Sequence, residues 1–157
     1  MTEAKYTPEE IIAKLQAHPK FGSQIKPITK HQSAIISSGL EPAVVIAGAG
    51  SGKTETMSNR VLYLVANGFA TPDQILGLTF TRKAAGELSV RIRKRLRQLS
   101  QLPEFKHITS NSTAVTTYHS YAGKLLSEHA IRYGIDADAQ ALGEAAIWQI
   151  ASDVVRN

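Results

Sequence analysis

The stretch Ala47-Gly48-Ala49-Gly50-Ser51-Gly52-Lys53-Thr54 decides which fold and which chemistry are expected of this 157-residue chain. Small residues let successive backbone N–H groups turn inward around phosphate oxygens, and a helix that begins near Lys53 adds its positive end. The Lys53 ammonium can then reach the outer phosphates of a nucleotide, and the Thr54 hydroxyl can ligate Mg²⁺. The pattern therefore predicts a phosphate-binding loop between a strand and a helix.

Strand and helix patterns alternate on both sides of this loop, which is typical of an α/β fold with a parallel sheet of three or more strands. Runs of apolar and β-branched residues predict buried strands at 43–47, 75–80 and 113–117. Helical patterns, several with a capping residue, lie at 8–17, 30–39, 53–67, 81–99, 119–132 and 140–156. Residues 100–112 are predicted to form a polar loop, and Trp148 is predicted to anchor a core.

The composition excludes several classes of protein. The chain has 18 Lys and Arg against 13 Asp and Glu, a net charge of +5 that permits a polyanionic partner without requiring one. The absence of cysteine excludes disulfides and zinc sites built on thiolates. No apolar run is long enough to cross a membrane, and the first ten residues lack a signal-peptide pattern. We therefore predict a cytoplasmic protein.

Hydrolysis of a bound nucleotide requires more than the loop. A carboxylate at the end of a buried strand normally holds the water shell of the metal. The acids of the C-terminal half, such as Asp136, Asp138 and Asp153, do not end an apolar strand pattern, and neither do the others. Two alternatives follow: the chain is cut before such an element, or it only binds nucleotide. In both cases we expect weak nucleotide binding without turnover.

Three segments together resemble the UvrD-like family of superfamily-one DNA helicases, over about residues 28–130. Ile28-Thr29-Lys30-His31-Gln32 resembles the family's adenine-reading motif. A side-chain amide such as that of Gln32 offers one donor and one acceptor to adenine and rejects guanine. Leu78-Thr79-Phe80-Thr81-Arg82-Lys83-Ala84-Ala85 and Thr116-Thr117-Tyr118-His119-Ser120-Tyr121-Ala122 resemble two motifs that contact single-stranded DNA.

The resemblance implies a RecA-like phosphate-loop NTPase fold that forms an incomplete first motor domain. Its implied parts are an N-terminal helix and linker at 1–27, the ATP-binding motor domain at 28–134 and the start of a helical insert at 135–157. The implied function is ATP-dependent unwinding or translocation of DNA in repair or recombination. ATP, Mg²⁺ and single-stranded DNA are its implied ligands, and no membrane is involved.

The resemblance also assigns residues. Lys53 and Thr54 are the implied catalytic residues, with Thr54 on Mg²⁺. The implied nucleotide-binding residues are Gln32, Ala47, Gly48, Ala49, Gly50, Ser51, Gly52, Lys53, Thr54 and Glu55. The implied DNA-binding residues are Thr79, Phe80, Thr81, Arg82, Tyr118, His119 and Ser120.

Two positions depart from the family pattern. Glu55 stands where several relatives place an arginine that packs on adenine, and an acid cannot replace that cation. Relatives often have asparagine where Arg82 stands. Two stretches, Gly52-Lys53-Thr54-Glu55-Thr56-Met57 and Leu64-Val65-Ala66-Asn67-Gly68-Phe69-Ala70-Thr71, are similar to actinobacterial helicases, including a subunit of a two-motor helicase–nuclease. This narrower similarity implies a second subunit as partner.

Simpler interpretations stay open beside these assignments. Gln32 can be a surface residue, Phe80 a core residue and His119 a helix-capping residue. Another set is basic and lies on one helix: Arg91, Arg93, Lys94, Arg95 and Arg97. We interpret this set mainly as a solvated helix face and secondarily as a surface that follows phosphates. The alternative functions are another phosphate-loop NTPase, of kinase or GTPase type, and a DNA-binding module that does not hydrolyse nucleotide.

Overall fold

A computed structural model describes residues 4–108, 113–134, 136 and 143–156. It divides into two compact units, Met1–Thr117 and Tyr118–Asn157. The first unit contains the predicted phosphate loop and the strands. The second unit contains helices and is described separately.

The described residues of the first unit form four α-helices and two strands. Its elements are α1 Pro8–Gln16, α2 Lys30–Ile36, α3 Lys53–Ala66, β1 Leu76–Thr79, α4 Arg82–Leu99 and β2 Ala114–Thr117. The second unit contains α5 Tyr118–His129, a 3₁₀ turn at Ala130–Tyr133 and α6 Glu144–Arg156. An α/β fold with a parallel sheet is confirmed, whereas the RecA-like arrangement stays a prediction.

Helices α1 and α2 begin where their sequences predict, because each has a complete capping box. The Thr7 hydroxyl accepts a hydrogen bond from the backbone N–H of Glu10, whose carboxylate accepts one from the N–H of Thr7. Thr29 and Gln32 make the same reciprocal pair at the start of α2. These bonds satisfy amide groups that have no partner inside the helix.

The sheet sets the position of α4. Strands β1 and β2 are parallel and in register, with Thr79 opposite Thr117, so both carboxyl ends lie at one edge. Helix α4 starts directly after this edge and packs on both strands. Its predicted apolar stripe, Leu88, Ile92, Leu96 and Leu99, is buried as expected.

Helix α1 is an integral part of this core. Its residues Ile11, Ile12 and Leu15 are buried in one cluster with Leu62 of α3 and Leu96 of α4. The side chain of Asn67 also holds both backbone groups of Tyr6, at 2.8 and 3.1 Å. The N-terminal helix and the loop-bearing helix α3 therefore stabilise each other.

The predicted strand at 43–47 is not formed. Val44 and Ile46 are 89% and 95% exposed, and the segment carries no strand assignment. A strand requires a partner for its backbone groups. Among the described residues the sheet contains only β1 and β2, so the prediction of three or more strands is also wrong for this part of the chain.

Three smaller predictions are also corrected. Residues 100–108 are not simply a polar loop, because Phe105 on a short 3₁₀ turn is buried in the core; 109–112 lie outside the described residues. Trp148 on α6 is 76% exposed and anchors no core within its described surroundings. Arg95 is buried rather than solvated, because it pairs with an acid on α3.

None of the helices in the described ranges has the length and apolar character that crossing a bilayer requires. The predicted helix at 140–156 is observed from residue 144, and residues 140–142 lie outside the described residues.

Replacing Leu15 with alanine should destabilise the first unit, because Leu15 is fully buried between α1 and the rest of the core. We expect a loss of about 2–5 kcal/mol in the free energy of unfolding, measured by urea denaturation. Leu40→Ala, at an exposed leucine, is the control and should change little. Equal stability of the two variants would contradict the packing of α1.

Candidate nucleotide site

The phosphate loop makes a tight turn into α3. Gly50 and Gly52 have φ of 76° and 85°, a backbone conformation that residues with a side chain rarely adopt. The backbone N–H and the hydroxyl of Ser51 both donate to the carbonyl of Gly48, at 3.4 and 2.8 Å. The loop is therefore curled, with the first-turn amides of α3 following it.

Lys53, the first residue of α3, reaches back across this loop. Its Nζ donates hydrogen bonds to the carbonyls of Ala47 and Gly48, at 2.9 and 2.7 Å. The side chain is exposed, so both bonds can be exchanged for other oxygen acceptors without unfolding the helix. Thr54, the next residue, is also exposed at this helix start.

Gln32 connects α2 to the loop. Its Oε1 accepts from the backbone N–H of Thr29 at 3.0 Å, and its Nε2 donates to the carbonyl of Ser51 at 3.2 Å. An amide side chain has two donor hydrogens and two acceptor lone pairs. One donor and one acceptor of Gln32 therefore remain for a further partner.

A cavity of about 600 Å³ lies between α2, the loop and α3. This volume is within the range of small-molecule sites. Four of the predicted nucleotide-binding residues line it, namely Gln32, Ala47, Ser51 and Lys53. His31, Val45 and Met57 contribute to the remaining walls.

Arg60 of α3 also lines this cavity and holds the C-terminal end of α2. Its guanidinium donates to the carbonyls of Ile35, Ile36, Ser38 and Gly39, at 2.8–3.1 Å. Ile35 and Ile36 belong to the last turn of α2, where carbonyls lack an N–H partner within the helix, and Ser38 and Gly39 follow that turn. The sequence analysis missed Arg60, which belongs to no motif and whose partners are four backbone carbonyls and the hydroxyl of Ser38.

The residues present fit a nucleotide with a divalent cation. A Cβ at Gly52 would lie 2.8 Å from Nε2 of Gln32, so the loop and the amide are packed as closely as a glycine allows. No group of three or more acidic or histidine side chains suited to a metal occurs in the described part of the chain. Such a cation would therefore depend on phosphate oxygens and on the Thr54 hydroxyl, which is how Mg²⁺ is commonly held.

Glu55 faces away from the other predicted nucleotide-binding residues. Its Oε2 pairs with Nη1 of Arg91 at 2.6 Å, and its Oε1 pairs with Nη2 of Arg95, both on α4. It lines a second groove, with Gln24, Gly86 and Lys94. Burial raises the pKa of Glu55, but hydrogen bonds and charges from Arg95 and Arg91 outweigh burial and hold the pKa below its ordinary value of 4.5.

The spacing of the two arginines gave a signal that the sequence analysis did not use. Arg91 and Arg95 are four residues apart on a helix and therefore share one face. Arg95 also donates to Oε1 of Gln98 at 3.2 Å. The groups form a chain of polar contacts between α3 and α4.

The first predicted DNA-binding segment lies at the edge of the sheet. Thr79 ends β1, Thr81 caps α4 by accepting from the N–H of Ala84 at 3.1 Å, and Arg82 begins the helix. Phe80 lies between them and is 86% exposed, so it is not a core residue. The second predicted set, Tyr118, His119 and Ser120, forms the exposed first turn of α5.

Comparison with known proteins identifies the family. Residues 28–157 match the family model of the UvrD/REP helicase N-terminal domain. The chain belongs to this family. The resemblance to UvrD-like superfamily-one helicases is therefore confirmed, whereas the actinobacterial subtype stays a prediction.

Curated UvrD/REP relatives include ATP-dependent DNA helicase PcrA of Staphylococcus epidermidis, 28% identical over 136 residues, which is 85% of this chain and 17% of that protein. The corresponding protein of Staphylococcus aureus is 29% identical over 126 residues, 80% of this chain and 16% of that protein. The chain thus spans less than a fifth of the length of these relatives.

Replacing Glu55 with glutamine should reduce stability in a way that depends on pH. The folded-state pKa of Glu55 is lowered, so its stabilising contribution is complete above the ordinary value and is lost as the pH falls through the folded-state pKa. The wild type should therefore be the more stable protein at pH 7, and the difference should shrink as the pH falls below 4.5. Denaturant unfolding across this range measures the difference; a difference independent of pH would contradict the ion pairs.

Proposed function

We propose that this chain is the ATP-binding part of an ATP-dependent DNA helicase or translocase that acts on single-stranded DNA. The observation that carries the proposal is that Gln32 and Lys53 line one cavity, and that each donates a hydrogen bond to a carbonyl of the curled loop. Family membership supports the same function.

The chain's own groups supply the binding chemistry. Lys53 would exchange its two carbonyl contacts for phosphate oxygens, while the first-turn amides of α3 donate to the same anion. Thr54 would hold Mg²⁺ through its hydroxyl, and the ion would neutralise phosphate charge. The free donor and acceptor of Gln32 match the edge of adenine, while its bond to Ser51 keeps the amide oriented.

Single-stranded DNA is the proposed second ligand. An exposed aromatic ring gives a base a stacking platform, and Phe80 provides one beside the hydroxyl of Thr79 and the first turn of α4. Tyr118, His119 and Ser120 are proposed to contact the same class of ligand through hydrogen bonds to phosphate. Action in repair or recombination, a cytoplasmic location and a second helicase–nuclease subunit also belong to this proposal.

The alternative NTPase functions have less support. A GTPase normally has an Asn-Lys-x-Asp base-reading sequence, which does not occur in this chain. Membership of the UvrD/REP family also argues against a kinase. Thermal unfolding of the wild type with a nonhydrolysable ATP analogue distinguishes a DNA-binding module without nucleotide chemistry.

Lys53→Ala should weaken binding of a nonhydrolysable ATP analogue with Mg²⁺ at least about tenfold, equivalent to about 1.4 kcal/mol. The reason is that Lys53 is the cation placed on the loop. Thermal unfolding measures the effect, since a ligand specific to the native state raises the melting temperature. Lys20→Ala, at an exposed lysine outside the cavity, is the control. A wild type that the analogue does not stabilise would favour the module without nucleotide chemistry.

Phe80→Ala should weaken binding of an oligothymidylate about 5- to 150-fold, because stacking on one aromatic ring contributes about 1–3 kcal/mol per base. Phe80→Trp should retain the affinity. Val90→Ala, which removes an exposed apolar side chain of α4, is the control and should also retain it. Fluorescence anisotropy measures the affinities of the wild type and the three variants. Unchanged binding by Phe80→Ala would remove this ring from the DNA site.

A further inference from the structure

Glu55 joins two elements with different proposed ligands. It is the third residue of α3, directly after Thr54 of the phosphate loop. Its carboxylate binds Arg91 and Arg95 on α4, the helix that begins at the proposed DNA segment. One side chain thus bridges the start of the nucleotide-binding helix and the body of the DNA-proximal helix.

The ion pairs of Glu55 with Arg91 and Arg95 are partly buried, and both carboxylate oxygens take part in them. The Arg95 side chain is only 10% exposed, and each carboxylate oxygen of Glu55 has its own guanidinium partner. Arg95 is held in addition by Gln98. Because both arginines lie on one face of α4, a displacement of Glu55 acts on the helix at two points one turn apart.

Helix α4 can carry such a displacement to the DNA segment. It is continuous from Arg82 to Leu99, and Arg91 lies about 14 Å along the axis from Arg82 at 1.5 Å per residue. Its first turn is capped by Thr81, whose carbonyl accepts a hydrogen bond from the hydroxyl of Thr79 at the end of β1. The path from Thr54 to Phe80 therefore consists of one ion-pair bridge and one rigid helix.

We propose that Glu55 is a positioning residue that couples the two ligands: through Arg91 and Arg95 it links the occupancy of the phosphate loop to the placement of the segment around Phe80. The inference rests on the proposed function, since it requires that the chain bind both a nucleotide and a single strand. It gives Glu55 a role other than contact with adenine. In thermodynamic terms, each ligand changes the affinity for the other by the same factor.

The experiment measures that factor. A fluorescent, nonhydrolysable ATP analogue with Mg²⁺ is titrated into the chain with and without saturating oligothymidylate, and the ratio of the two dissociation constants is the readout. We expect a ratio that departs from one by at least about fivefold in the wild type. In Glu55→Gln the ratio should fall below twofold, whatever the affinity of the variant in the absence of DNA.

The matched control is Glu104→Gln, which removes the 2.6 Å ion pair to Lys14; neither residue lines the cavity or contacts Glu55, Arg91 or Arg95. Both partners of that pair are exposed and neither touches the loop, so the ratio should stay at the wild-type value. Arg91→Gln, which leaves the buried Arg95 in place, should lose at least half of the coupling free energy. This variant tests the proposal if Glu55→Gln does not fold.

The outcomes separate the inference from the function on which it rests. If the wild type fails to bind one or the other ligand, the proposed function and the coupling are both overturned. A wild type that binds both ligands with a ratio near one would overturn the coupling alone. Full wild-type coupling in Glu55→Gln would also overturn the coupling role of Glu55; if that variant is unfolded, full coupling in Arg91→Gln would do so. Loss of coupling in Glu104→Gln would show that the effect is not specific to Glu55.

Discussion

The hydrogen bond from Nε2 of Gln32 to the carbonyl of Ser51 is the contact on which the nucleotide cavity depends. It holds the short helix α2 against a loop whose own turn requires two glycines with positive φ. Gln32 can make it because its Oε1 is already fixed by the capping box with Thr29. Arg60 holds the other end of α2, so the wall of the cavity is secured at both ends.

A second constraint comes from α4, which links parts of the unit that are distant in sequence. Its apolar stripe packs against the core, while its polar face binds Glu55 through Arg91 and Arg95. Its first turn begins at the edge where β1 ends. The same helix therefore supports the sheet, the loop-bearing helix and the segment around Phe80.

In the segment at 43–47, the local sequence pattern and the tertiary structure disagree. Its β-branched residues favour an extended backbone, but a strand forms only when another backbone pairs with it. The described residues offer it no such partner, and Ile46 is left exposed. The position of Glu55 differs from expectation for a related reason: the two arginines that bind its carboxylate lie more than thirty residues further along the chain.

The amino-acid sequence by itself determined the features that depend on neighbouring residues: the caps at Thr7, Thr29 and Thr81, the phosphate loop with its glycines, and the buried stripe of α4. It also carried the family resemblance, because motifs are short local patterns. Only the tertiary structure decided which strands pair, that α1 belongs to the core, and that Glu55 turns to α4. Those outcomes depend on contacts between distant residues, and hydrophobic periodicity does not specify partners.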